Sequence, residues 1–394
     1  EFEVLEEEEN NFSLFFAPRA VGMDVTNVNS SNTYLKSDFN KESPFGIAGN
    51  FHLVGLTEVK NPAHTNGNIL TPRLVYVSNF GTNNLTIKEV SYAREIVTET
   101  SRSITAGAHP QSYLVVGRST TIGTVDNNNY WSINDQKLDY PEKKSMPNQL
   151  WQDDTADFIN FNDVKNQVVA VNKSLSTMPN SDVTINGSDM NNQTIHIQDS
   201  SKDCNVYNFK DSDFQNPTNP IKITGFNPNK PTTLTINVDM VGKTSFTIPA
   251  SVAYYTDGTS VSTGEVSTWS NANVIWNFYD SSKSDNIYRG SISNTRGAVT
   301  GHIIAPGATV DLQNNLNGTV IADKITVSAE SHRDDYTGKC FSAPDPEPTD
   351  PVETDPKPTE PVETDPKPTD PVETDPKPTE PVETDPEPTD PVET

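Results

Sequence analysis

The sequence predicts a mainly β protein: a β-solenoid (β-helix) with one lateral α-helix, followed by an extended, disordered tail of polyproline II type. Three observations carry this prediction. Aliphatic segments recur at 17 or 18 residues near both ends of the body, one stripe of helical period lies between them, and a ten-residue proline unit fills the last fifty positions. The composition agrees, because Asn, Thr, Ser, Val and Ile dominate the body, the usage of strands joined by polar turns. A β-sandwich is the alternative fold. The reading divides the chain into an N-terminal extension (1–42), a solenoid body (43–341) and an acidic stalk (342–394).

The chain opens on Glu1, and "EFEVLEEEENNF" has neither a basic nor an apolar leader region; the reading expects a leader that was removed or that lies outside this sequence. In the body, "GNFHLVGLTEV" from Gly49 and "GNILTPRLVYV" from Gly67 align at 18, matching Gly49 with Gly67, Asn50 with Asn68 and Val59 with Val77. Near its end, "GHIIAPGATV" and "GTVIADKITV" align at 17, pairing Ile303 with Val320, Ile304 with Ile321, Ala305 with Ala322, Thr309 with Thr326 and Val310 with Val327. Seventeen residues at about 3.3 Å each trace a closed path of roughly 56 Å, three short strands with corners. Stacking such coils puts the matched aliphatics in line, with Gly and Asn at the corners.

Between these repeats, Phe161, Val164, Val168, Val171 and Leu175 recur at +3 and +4, one apolar face of a helix near Asn162–Ser176. Asn162 is placed to cap it, Asp163 suits its first turn, and Pro179 closes the segment. Fifteen residues span roughly 22 Å, so the helix fits along the side of four or five stacked strands.

The tail repeats P-V-E-T-D-P-[KE]-P-T-[DE] and carries 17 acidic residues and 3 lysines from Asp345 onward, more than half of the chain's net −26. Proline at every second or third position blocks helix and sheet, and the lone valines supply no core. Fully extended, such a segment reaches roughly 150 Å. The sequence stops within a repeat at Thr394, so the natural chain is expected to continue. A body that is itself acidic argues against nucleic acid as a partner, and no run has the length of a membrane-spanning helix.

The segments "SPFGIAGNFHL" from Ser43, the helix, "NVIWNFYD" from Asn273 and "GHIIAPGATVDLQNNLNGTVIADKITVSAESH" from Gly301 to His332 resemble the choice-of-anchor A family of adhesive domains in bacterial surface proteins. The resemblance spans Ser43 to His332 and implies a β-helix of ice-binding-like type. It also implies an extracellular location at a Gram-positive cell wall, reached through a C-terminal anchor beyond this chain. Glu89 to Gln149 departs from the family pattern, as does the ending "RDDYTGKCF".

Signs of catalysis are sparse. The six histidines, His52, His64, His109, His196, His302 and His332, show no metal-ligand spacing; structural or solvated roles are expected, including for Glu330 and His332. Asp153-Asp154 and Asp334-Asp335 are the available carboxylate pairs, but neighbours in a strand point to opposite faces. No cofactor is expected. The turns "DNNNY" from Asp126 and "NGSDMNN" from Asn186 offer oxygens to Ca²⁺, with plain Asn-rich turns the default. Ice binding would want regular outward rows of Thr-x-Thr, and the chain offers only isolated pairs such as Thr233 and Thr235. Cys204 and Cys340, the only cysteines, stand 136 positions apart. In an oxidising compartment they form a disulfide worth up to about 5 kcal/mol; two free thiols or an internal thioester are the alternatives.

Three functions follow. The leading one is a non-enzymatic adhesin head that attaches to host matrix protein, glycan or another cell. The others are a self-associating pilus or surface-layer subunit, and a carbohydrate-active enzyme on a β-helix.

Overall fold

The computed structural model describes residues 33–36, 39–82, 88–98, 104–107, 109–146, 148–153, 156–214, 219–261 and 270–341. The proline repeat of 342–394, Asp154 and the first 32 residues lie outside the described residues. The domain is mainly β and is built on one twelve-stranded parallel sheet. Parallel pairing throughout that sheet excludes the antiparallel sandwich.

The sheet begins in its middle. Strand Leu53–Lys60 lies between Ile69–Val75 and Val320–Val327, so the first and last long strands are neighbours. From Leu53–Lys60 the chain steps outward through Glu89–Ile96 and Ser112–Val116 to the edge at Leu150–Gln152. It resumes at the opposite edge with Cys204–Asn208 and steps inward through Thr232–Asp239, Ala272–Tyr279 and His302–Leu312. The long helix Phe161–Ser176 falls between the two series.

Alternation divides the sheet into two buried faces. Tyr207, Ile236, Trp276, Ile303, Val320, Leu53 and Ile69 form one lateral row in register, inside the larger core. The opposite face carries Trp151, Val115, Tyr92, Leu70, Val54, Ile321 and Ile304 in register, and the row continues as Asn277, Asn237 and Asn208. The helix packs on this second row. At its start Phe161 stacks on Tyr92, centroids 5.4 Å apart and planes at 16°; toward its end Asn172 donates to Asn277 Oδ1 at 2.7 Å.

The switch from aliphatics to asparagines has a physical cause. A helix leaves its last carbonyls without intrahelical donors, and Asn237 Nδ2 donates to Leu175 O at 2.8 Å in that last turn. Asn277 Nδ2 donates onward to Asn237 Oδ1 at 2.9 Å, so this buried polar row is satisfied strand by strand.

The predicted helix is present, and Val164, Val168, Val171 and Leu175 are buried. Its cap lies two residues earlier than expected. Asn160, in extended conformation, accepts from Asn162 N and Asp163 N, and Asn162 is already helical.

The repeats survive in part. Ile303, Ile304 and Ala305 pair with Val320, Ile321 and Ala322 at the expected 17. Beyond them Thr309 pairs with Lys324 and Val310 with Ile325, not with Thr326 and Val327, because Pro306–Ala308 form a bulge. Pro306 has no N–H for the ladder. A Cβ at Gly307 would lie 2.8 Å from Tyr288 O, so the bulge needs glycine. At the front, Val59 pairs with Leu74 and Leu53 with Ile69, and the expected Val59–Val77 pairing is absent. The 18-residue offset persists at a corner, where Asn68 Nδ2 donates to Asn50 O at 2.9 Å.

Smaller sheets flank the large one. Val183–Asn186, Thr194–Ile197, Ile221–Phe226 and Ser251–Tyr255 form a four-stranded sheet. Ile122–Val125, Tyr130–Ile133 and Gln136–Tyr140 form an antiparallel meander. Its Asn134-Asp135 turn has φ of 46° and 63°, the left-handed pair that a two-residue hairpin favours. Ahead of Ser43, Leu35 is buried and Phe39 packs edge-on against Phe51, centroids 5.7 Å apart.

Cys204 and Cys340 have Cα atoms 4.8 Å apart, within the span that a disulfide bridges. Alkylation of unfolded protein without reductant is expected to label neither cysteine; two labelled thiols would refute the bond.

Candidate functional site

A cleft of about 920 Å³ opens on the helix-covered side of the sheet, beside the N-terminus of the long helix. Its main charges come from adjacent positions in the sheet. Arg73 lies on Ile69–Val75, Arg94 on Glu89–Ile96, and Arg118 just after Ser112–Val116. Adjacent strands are about 4.8 Å apart, so three guanidiniums follow one another along the cleft.

Carboxylates hold them in place. Asp157 accepts from Arg94 Nη1 at 3.1 Å and from Arg118 Nη2 at 2.9 Å. Glu58 accepts from Arg73 Nη1, and Glu95 Oε2 lies 3.5 Å from Arg73 Nε. Arg94 also sits over the Phe161 ring, 5.4 Å from its centroid. The three arginine side chains remain 43–49 % exposed. At that exposure such pairs add little to stability; they position the guanidiniums. Thr57, Thr120 and Asn134 add hydroxyl and amide groups to the lining.

Glu95 and Asp157 in the lining, with Glu58 behind Arg73, offset most of the charge of the three arginines, so the cleft is dense in hydrogen-bonding groups with little net charge. That arrangement suits a ligand rich in hydroxyls, because a polyanion would meet the three supporting carboxylates.

The carboxylate pairs and histidines weighed for chemistry lie elsewhere. Asp153 is buried; Tyr92 Oη donates to it at 2.6 Å and Phe158 N at 2.9 Å, and burial pushes its carboxyl up to about 6. Asp334 accepts from Ser270 N, and burial pushes it up to about 7. Asp335 instead takes both Arg333 Nε and Nη2 at 2.8 Å, so the two neighbours have different partners, in a segment outside the strands.

Three histidines distant in sequence converge at a corner. His52 Nδ1 contacts Gly318 O at 2.6 Å, His302 Nδ1 accepts from Thr319 N at 3.0 Å, and His332 Nδ1 lies 3.2 Å from Asn317 Oδ1. Burial lowers His52 and His302 to about 3. The solvated Glu330–His332 pair is corrected: His332 is buried, although its Nε2 lies 3.8 Å from Glu330 Oε1.

In the Asn-rich turns, ammonium groups stand where a cation was considered. Lys137 Nζ donates to Asp126 Oδ2 at 2.8 Å and Lys143 Nζ to Asn128 Oδ1 at 2.6 Å. Asp189 Oδ1 of the second turn accepts from Asn191 N at 3.0 Å. Among the described residues, no group of three His, Cys, Asp or Glu is arranged to hold a metal ion. Thr233 and Thr235, the one Thr-x-Thr pair considered for ice, are fully buried.

Sequence reasoning missed the cleft. Arg73, Arg94 and Arg118 are 21 and 24 residues apart, so no fixed period marks them; a comparison of outward-facing charges on paired strands would have been the signal.

A parallel sheet with a helix across one face and an open, charge-balanced cleft define a β-rich domain suited to surface contact. The chain belongs to the family described as "Putative Ice-binding-like adhesive domain", whose model matches residues 44–333. No curated protein and no solved structure matches the chain. Among the described residues, no helix is long and apolar enough to cross a membrane.

Proposed function

We propose that this chain is the head and stalk of a bacterial cell-surface adhesin. In this reading the parallel strands are rungs of a β-solenoid. The domain is not an enzyme, and its cleft at Arg73, Arg94 and Arg118 takes hydroxyl-rich groups of a glycan or matrix glycoprotein. The observation that carries the reading is membership of the adhesive-domain family across residues 44–333. The proline-rich repeat supplies reach, and an anchor beyond Thr394 attaches the protein to the cell wall.

The division of labour between head and stalk is testable. A chain ending at Phe341 is expected to bind glycan or matrix ligands in solution as tightly as the full chain, because the repeat's lone valines supply no core for a pocket. Displayed on cells, the shortened chain is expected to adhere less well. Loss of affinity in solution would place recognition in the repeat and contradict the division.

A further inference from the structure

A second cleft, of about 410 Å³, lies on the four-stranded sheet and has a different chemistry. Two rows of side chains cross this sheet in register. One is Thr184, His196, Thr224 and Tyr254; the next is Asn186, Thr194, Lys222 and Val252. His196, Thr224 and Tyr254 of the first row line the cleft, joined by Lys222 from the second. Gly225, at φ +97°, bulges the strand between Thr224 and Phe226. A Cβ there would come within 2.4 Å of Ile197 O. Tyr254 and Tyr255 both line the cleft, and Tyr255 also packs against the larger core.

The polar groups are held. His196 Nδ1 pairs with Thr224 Oγ1 at 2.8 Å, which leaves Nε2 as the ring's other hydrogen-bonding atom. Lys222 Nζ donates to Asn192 Oδ1 at 3.0 Å, and an ammonium has two further protons. Tyr255 Oη lies 3.3 Å from Ser270 Oγ. No carboxylate lines the cleft. The nearby Asp257 turns its Oδ1 to Thr259 N and Oγ1, at 2.9 and 2.6 Å. On a chain of net charge −26, this cleft therefore combines a lysine, a histidine and two tyrosines with no carboxylate in its lining.

We propose that this cleft binds a carboxylated saccharide, a uronic-acid unit of a polymer, at a site separate from the arginine cleft. The Lys222 ammonium calls for an anion, and His196 offers a hydrogen bond beside it. The Tyr254 ring offers a flat apolar face with a polar edge, matching a sugar ring that has one apolar face and hydroxyls around its rim. The strand spacing of about 4.8 Å repeats the polar row at roughly the length of one sugar unit, which favours a polymer lying across the strands.

The experiment titrates the full chain with tetragalacturonate, with a hyaluronan tetrasaccharide, and with fully methyl-esterified tetragalacturonate. At least one free acid is expected to bind, with affinity falling as salt rises, and the methyl ester is expected to bind at least tenfold more weakly than its acid. Lys222→Gln should remove the preference for the acid. Tyr254→Ala should weaken acid and ester alike by about tenfold. Both side chains reach solvent, so melting curves of the variants should match wild type. Arg94→Ala should leave uronate binding unchanged, so failure at the arginine cleft is distinguishable from failure here. Absence of binding by both acids, equal binding of acid and ester, or wild-type binding by both variants would overturn the proposal. So would an acidic proline-rich peptide that binds this cleft when the acids do not.

Discussion

Replacing Val168 with Asp is expected to unfold the domain or to lower its stability by about 4 kcal/mol or more. Val168 is fully buried at the middle of the helix stripe. It belongs to the cluster of Val54, Leu70, Ile304 and Ile321 on the sheet's helix face. A carboxylate there exchanges water for hydrocarbon and finds no cation, so it stays unpaired or takes up a proton at the expense of folding. Val168→Ala is the size control and should lose only about 2 kcal/mol. Urea unfolding followed by circular dichroism measures both. Equal midpoints for wild type and Val168→Asp would show that the helix does not pack on the sheet.

Arg333→Met is expected to lose roughly 3–5 kcal/mol, since removing one partner strands buried charges, and the loss should depend on pH. Arg333 Nη1 donates to Glu89 Oε1 at 3.2 Å, and Glu89 is buried. Burial pushes Glu89 up to about 7 against the pull of this guanidinium. In the variant its carboxyl rises further, so the folded state must carry either a proton or an unpaired charge. Above about pH 7 that penalty is largest; at about pH 5 Glu89 is protonated in both proteins and the difference shrinks.

Wild type supplies the reference profile. Raised folded values at Glu89, Asp334 and Asp153 mean that the native state holds protons more tightly than the unfolded chain does. Stability from these groups therefore grows as pH falls from about 7 toward the ordinary carboxyl range, and is lost on the way up. The lowered His52 and His302 act oppositely, because the unfolded chain takes their protons first below about 6.5. The two sets offset each other in mild acid, so wild-type stability should be flat there and fall on either side. An equal loss for Arg333→Met at both ends of this range would place the loss at the Arg333–Asp335 pair and not at Glu89.

The parts legible in sequence are those with a short period. Val164, Val168, Val171 and Leu175 mark the helix because its buried face repeats every three or four residues, and Ile303–Ala305 mark a rung because three aliphatics face three others at 17. Legibility ended wherever a strand carries extra residues. The Pro306–Ala308 bulge leaves the aliphatic pattern intact on both sides, so Val310 seemed to face Val327 when its partner is Ile325. The cap moved from Asn162 to Asn160 because both are asparagines at a suitable distance, and backbone conformation alone separates them. Asn172, Asn237 and Asn277 are buried by a demand that arises only when the helix end meets the sheet. The arginine cleft was invisible for a related reason: its residues become neighbours through pairing of strands whose connecting loops differ in length.

The most direct test of the adhesive reading is a comparison of the full chain with its Arg94→Ala/Arg118→Ala variant against immobilised neutral glycans and matrix glycoproteins. Both arginines are half exposed and pair with Asp157, so the variant should fold as wild type does. The account predicts saturable binding by wild type that changes little with salt, as a charge-balanced cleft requires. It predicts at least a tenfold loss in the variant and ligand recovered unaltered after prolonged contact. Cleaved ligand, or binding that the double substitution leaves intact, would contradict it.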